Sequence, residues 1–284
     1  MSESAIANST KDTLTNSGVR PITQDEVDHF RKNGWVILRQ FMAPSSVEQI
    51  KERAMQRMGA DPQTVTRLSP DQRIENEYNW YARWDGPSHA DDWIKSFSHS
   101  NSTGSMAAAA TKLSGSAIRF YFDHIFTKRP ASKSGGPTPW HQDLPHHPLD
   151  RQGGLTMWTP LVDCPAEMGT MRFLNGSHKA GIFGRFLNRS DGVSLVDEYP
   201  DVLNDFEVSD PLDMKVGDTT VHNLAVIHHA PENLTDKPRW VYACQWLPIK
   251  ARFTGAPNHR TDGLNMPIDQ PLDHPMFPVI EVGN

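Results

Sequence analysis

The stretch Thr138-Pro-Trp-His141-Gln142-Asp143-Leu-Pro-His146-His147 decides how this chain is read. His141 and Asp143 are two residues apart, so on a β-strand their side chains leave the same face and reach one metal ion together. A third donor must come from elsewhere. The apolar run Leu224-Ala-Val-Ile-His228 reads as a strand and supplies His228. His229 and His222 compete for the role. His229 points to the opposite strand face, whereas His222 shares the parity of His228 but lies roughly 20 Å away along an extended strand. Two histidines and one carboxylate on one side of a metal make the facial triad of non-haem Fe(II) oxygenases, which leaves positions open for a co-substrate and O2. Beyond His228 the chain passes Asn233 and Arg239 into the strand-like Trp240-Val-Tyr-Ala-Cys-Gln-Trp246. A histidine ending one strand and an arginine opening the next face a common pocket across a turn.

With 284 residues, the chain can bury one sizeable core, and the reading is a polar tail over residues 1–20 followed by a single catalytic domain over 21–284. Lys+Arg 28 against Asp+Glu 34, a net charge of -6, offers no basic cluster for nucleic acid or an anionic membrane surface. A small-molecule substrate is expected, on a monomer or homodimer. Cys164 and Cys244 show no zinc or disulfide spacing, which implies buried free thiols and a cytoplasmic setting. The N-terminus lacks the basic and apolar regions of a signal peptide, and no apolar window reaches the ~20 residues of a membrane span.

Outward from the central motif, Thr23-Gln-Asp-Glu26 is a capping box opening a helix with Val27 and Phe30 inward and Gly34 as its stop. Trp35–Leu38 reads as a strand, and Ala43-Pro-Ser-Ser opens a second helix with Val47, Ile50 and Met55 as its buried stripe. Tyr78, Trp80, Tyr81, Trp84 and Trp93 cluster around Arg83, making residues 78–95 a candidate lid or substrate entrance. Strands follow at Ile118–Phe126 and Leu155–Val162, and the long polar stretch 180–212 is a second candidate lid. Many short strands preceded by helices imply a mainly β fold with flanking helices. Its core, over about 115–250, is a double-stranded β-helix, the cupin-like jelly roll.

Taken together, these blocks resemble the phytanoyl-CoA dioxygenase-like branch of Fe(II)/2-oxoglutarate oxygenases over roughly Ile22 to Pro278. The blocks are the opening helix with Gly34, Lys128-Arg-Pro, His141-Gln-Asp143, Trp158, Glu167 with Gly169, Gly176-Ser-His178, Gly217-Asp218, and His228 with Asn233 and Arg239. The resemblance implies that His141, Asp143 and His228 hold iron and that Arg239 pairs with the distal carboxylate of 2-oxoglutarate. The spacing to Asn233 and Arg239 favours His228 over its competitors. Gln142, Trp158 and Thr170 fall where family members contact the co-substrate, and Arg83, His146 and His147 are candidate substrate contacts. The implied reaction couples conversion of 2-oxoglutarate and O2 to succinate and CO2 with oxidation of an aliphatic C–H, ascorbate serving as reductant in vitro. Asp143 argues against halogenation, which needs a vacant ligand position in place of the carboxylate.

Overall fold

The computed structural model describes residues 18–59, 66–68, 73–75, 81–133, 136–186 and 193–283. At its start the capping box forms as expected. The Thr23 hydroxyl accepts from the Glu26 amide, and the Glu26 carboxylate accepts from the Thr23 amide, opening α1 (Gln24–Asn33). Gly34, at φ 81°, ends that helix and lets the chain enter β1 (Trp35–Leu38). Val19 bridges Met42 and is buried, so it is not part of the polar tail expected over residues 1–20; residues 1–17 lie outside the described residues.

Four further helices flank one side of a large sheet. They are α2 (Pro44–Met58), α3 (Pro87–Ala90), α4 (Asp92–Ser98) and α5 (Met106–Ser114). Strands β2 (Thr66–Leu68), β3 (Arg73–Glu75) and β4 (Tyr81–Asp85) lie between α2 and α3, and β5 (Ile118–Lys128) follows α5. Next come β6 (Thr138–His141), β7 (Leu155–Pro160), β8 (Arg172–Phe173), the short helices α6 (Leu195–Glu198) and α7 (Val202–Asp205), and then β9 (Thr219–Asn223), β10 (His228–Ala230) and β11 (Arg239–Pro248). Among the described residues they form two sheets, β1-β9-β7-β11-β5-β4-β2-β3 and β6-β10-β8, antiparallel except for the β2–β4 pair. This is the expected jelly roll with helices on one side.

Strand alternation sorts the side chains of the large sheet between two cores. Trp240, Tyr242, Cys244 and Trp246 of β11 pack with the helices, alongside Val27, Ile50, Ile94 and Ala107. Val241 and Ala243 face the small sheet and join Trp158 and Phe173. A register shift in the β11–β5 pairing at Gln245/Trp246 lets Tyr121 and Phe122 both join the cluster beneath residues 251–277.

Residues 81–95, read from the sequence as a lid, are strand β4 and the helices α3 and α4. Trp84 and Ile94 are buried in the main core. Tyr78 and Trp80 lie outside the described residues. Within 180–212, Phe186, Leu195 and Val202 pack with Leu174 and Ile227 into a small core of their own. Residues 187–192 are outside the described set.

Candidate metal centre

His141 ends β6 and His228 opens β10, directly opposite each other in register. Their rings lie 4.2 Å apart, centroid to centroid. Each ring is oriented through its other nitrogen. His141 Nδ1 is 2.8 Å from the Pro139 carbonyl and His228 Nδ1 is 3.1 Å from the Val226 carbonyl. A carbonyl can only accept, so each neutral ring carries its proton on Nδ1 and presents a lone pair at Nε2. Those lone pairs face Asp143 Oδ1 at 3.5 and 3.8 Å. The three ligand atoms lie within 4.8 Å of one another. Three acceptors therefore converge with no donor proton among them, an arrangement that calls for a cation. The donor set, two imidazoles and a carboxylate, suits Fe(II).

Two sequence expectations are corrected here. Asp143 is not on a strand: β6 stops at His141, and Asp143, at φ -72° and ψ -39°, starts the helical turn Leu144–His146. The two side chains meet because the chain turns at Asp143, not because a pleat aligns them. Likewise 224–227 is a turn, opened by Asn223, whose Oδ1 accepts from the Ala225 amide. That turn carries the chain from the large sheet to the small one. It places the His222 ring 4.4 Å from that of His228 instead of at the ~20 Å of an extended strand. His229 points away and packs at a tilt against Trp140, ring centroids 3.9 Å apart, as its strand parity requires.

Asp143 Oδ2 accepts from Thr156 Oγ1 at 2.8 Å, His222 Nε2 at 3.2 Å and Gln245 Nε2 at 3.3 Å. Burial works to raise the Asp143 carboxyl, but the hydrogen bond from His222 works the other way, and the group lies well below the ordinary carboxylate range. Burial also drives the His228 imidazole well below its usual value and so keeps it neutral, as a ligand must be.

Arg239 and His228 lie on consecutive strands joined across a turn, as expected, but the strands belong to different sheets and His228 opens its strand instead of ending it. Arg239 opens β11, is 1% exposed, donates from Nη1 to the Gly169 carbonyl and lies 5.1 Å from the Trp158 ring. Among the described residues no carboxylate pairs with it, and its Nε has no hydrogen-bond partner. Burial lowers the guanidinium to about 10. A buried unpaired cation is costly, so this one marks the place of an anion. Asn233 brings it there: its amide donates to the Lys128 and Lys237 carbonyls and its Oδ1 accepts from Thr235, closing the turn that leads into β11.

A sequence model described as phytanoyl-CoA dioxygenase (PhyH) matches residues 30–241. The chain belongs to the phytanoyl-CoA dioxygenase family. It is an Fe(II)/2-oxoglutarate-dependent oxygenase of that family. An Arabidopsis thaliana phytanoyl-CoA dioxygenase is 29% identical over 120 residues, a match covering 39% of this chain and 42% of that protein. Phytanoyl-CoA dioxygenase 1 of Oryza sativa subsp. japonica is 22% identical over 259 residues, covering 79% of this chain and 92% of that protein. Among solved structures, the non-heme alpha-ketoglutarate-dependent carbocyclase SnoK from nogalamycin biosynthesis superposes with a TM-score of 0.73 at 20% identity, covering 91% of this chain and 96% of that one. The last likeness shows a shared fold.

Other residues of this family member sit less simply. Gln142 donates to the Gly181 and Ala225 carbonyls and accepts from the Phe183 amide, so its amide pins two loops and is not offered to a co-substrate. The Thr170 hydroxyl donates to the Leu212 carbonyl. Trp158 instead backs Arg239. Arg83, on β4, pairs with Asp85 and approaches His124 Nδ1 at 3.3 Å, at the far side of the large sheet's inner face. His146 and His147 flank the turn after Asp143, and burial lowers them to about 4 and about 3. His147 packs edge-on against Tyr121 at 5.2 Å. The sequence reading singled out neither Thr156 nor Gln245. Among the described residues no helix is long and apolar enough to cross a membrane.

Proposed function

We propose that this chain hydroxylates an aliphatic C–H of a small organic molecule, in the cytoplasm, converting 2-oxoglutarate and O2 to succinate and CO2. The observation that carries the proposal is the convergence of two Nε2 lone pairs and Asp143 Oδ1 with no proton among them. His141, Asp143 and His228 would hold Fe(II), which when bound supplies the redox chemistry and the activation of O2. Arg239 would receive the distal carboxylate of 2-oxoglutarate, a task for a permanently charged, planar donor. Val241, Ala243 and Trp158 give the inner wall an apolar lining that helps exclude water.

A specialised metabolite is the favoured substrate class. SnoK, which shares the fold, is a carbocyclase from nogalamycin biosynthesis. That neighbour also keeps a second outcome in view, desaturation, epoxidation or rearrangement on the same metal site. Retention of Asp143 argues against halogenation. The test is succinate release from protein incubated with Fe(II), ascorbate and 2-oxoglutarate under air, alone and with a panel of small molecules. Succinate that depends on Fe(II) is expected, and product mass separates an added oxygen from a lost hydrogen pair. If the metal-loaded protein forms no succinate under any of these conditions, the proposal fails.

A further inference from the structure

Gln245, Thr156 and His222 form a single row across three neighbouring strands. Gln245 of β11 stands opposite Thr156 of β7, and Thr156 opposite His222 of β9. All three aim at the same atom. Thr156 Oγ1 donates to Asp143 Oδ2 at 2.8 Å and accepts from Gln245 Nε2 at 3.0 Å. His222 Nε2 and Gln245 Nε2 donate to that oxygen at 3.2 and 3.3 Å. A carboxylate only accepts, so the His222 proton lies on Nε2.

We infer that Thr156, His222 and Gln245 are positioning residues that restrict Asp143 to one-oxygen coordination. They hold Oδ2 so that Oδ1 alone meets the metal with His141 and His228. The inference rests on the metal site proposed above. Three features support it. Oδ2 is saturated by three donors, while Oδ1 faces two lone pairs. Asp143 sits on a turn after the end of β6, with no strand to set its orientation, whereas the row is held rigidly in the large sheet. His222 Nδ1 and Gln245 Oε1 are buried with no hydrogen-bond partner, a cost that a row selected for stability alone would avoid. A carboxylate free to swing could chelate with both oxygens and occupy a position that the co-substrate or O2 requires. His222, rejected as the third ligand, thus acts through the carboxylate, and hydrogen-bond partners of this kind typically tune metal affinity 10–100-fold.

The test uses full-length, metal-free protein titrated with Co(II), whose visible absorption reports ligand number, alongside melting temperature without metal. Thr156→Val and His222→Phe should each weaken Co(II) binding about 10–100-fold and alter the absorption band, while Thr156→Ser restores both. Gln245→Met provides the same comparison should either variant not fold. A lower melting temperature with wild-type Co(II) affinity and spectrum would make the row merely structural and overturn the inference. Failure of the wild-type protein to bind Co(II) would instead sink the metal site itself, and the inference with it.

Discussion

Asp123 and Asp143 are enclosed carboxylates on opposite faces of the same sheet, and each accepts from three donor groups, yet they are built for different ends. Asp123 is fully buried on the helix side, where the Ser88 amide and hydroxyl and the Tyr242 hydroxyl share its two oxygens. No cation is among those partners, and burial pushes the group up to about 7. Asp143 has 15% of its side chain exposed, all three donors gather on one oxygen, and against the effect of burial the His222 hydrogen bond helps to hold its carboxyl low. A carboxylate satisfied on both oxygens closes a structure. One satisfied on a single oxygen leaves the other for chemistry.

The contrast is tested most severely by removing the ligands. Asp143→Ala and His228→Ala should abolish Fe(II) binding and cut turnover by about 1000-fold or more, whereas Asp123→Asn should leave both unchanged. Measured Fe(II) affinity and succinate formation decide this. Retained activity in His228→Ala would dissolve the distinction, because the ligand would then have to be another histidine.

Arg239 extends the comparison to a cation, being buried like Asp123 but short of partners like Asp143. Arg239→Ala should raise the KM for 2-oxoglutarate about 10–100-fold, the worth of a charged hydrogen-bonded pair, with Fe(II) affinity preserved. An unchanged KM would remove the anchor role.

Gly169 connects this cation to the fold. Its φ is +79°, and an added Cβ would lie 2.4 Å from the Pro231 carbonyl oxygen and 2.8 Å from that of Glu232. Gly169→Ala should therefore destabilise the protein by about 2–4 kcal/mol and disturb the carbonyl that Arg239 donates to, seen as a lower melting temperature together with weaker 2-oxoglutarate binding.

The smallest effect belongs to Asp123. Its folded value, about 7, lies above the ordinary 3.8, so the folded chain keeps a proton that the unfolded chain has released. Stability is unaffected below the ordinary value, declines as pH climbs from about 4 to 7 and is level above that. Asp123→Asn should remove this decline. The difference in melting temperature, variant minus wild type, should grow from pH 5 to pH 8 by the equivalent of about 2–3 kcal/mol.

Much of this was legible in the chain. The capping box at Thr23, the strands around Phe120 and Tyr242, and the pair His141 and Asp143 are signalled by residue type and short spacing, and His228, the third proposed ligand, by its place before Asn233 and Arg239. His222 was misplaced because residues 219–228 read as one strand, although Asn223, a turn-forming residue, marks the break between β9 and β10. Thr156 and Gln245 carried no local signal, since neither residue type is unusual in a strand. Gln142 stands between two of the proposed ligands, but its amide serves loop carbonyls.

What the sequence by itself determined is the chemistry available: two imidazoles, one carboxylate and one arginine, in an order and spacing that name the family. Only the tertiary structure decided which oxygen of Asp143 is free and which is held. That choice depends on the register of β7, β9 and β11, where residues 89 positions apart, Thr156 and Gln245, become neighbours. Backbone pairing across a sheet sets such neighbours, and no local pattern of side chains encodes it.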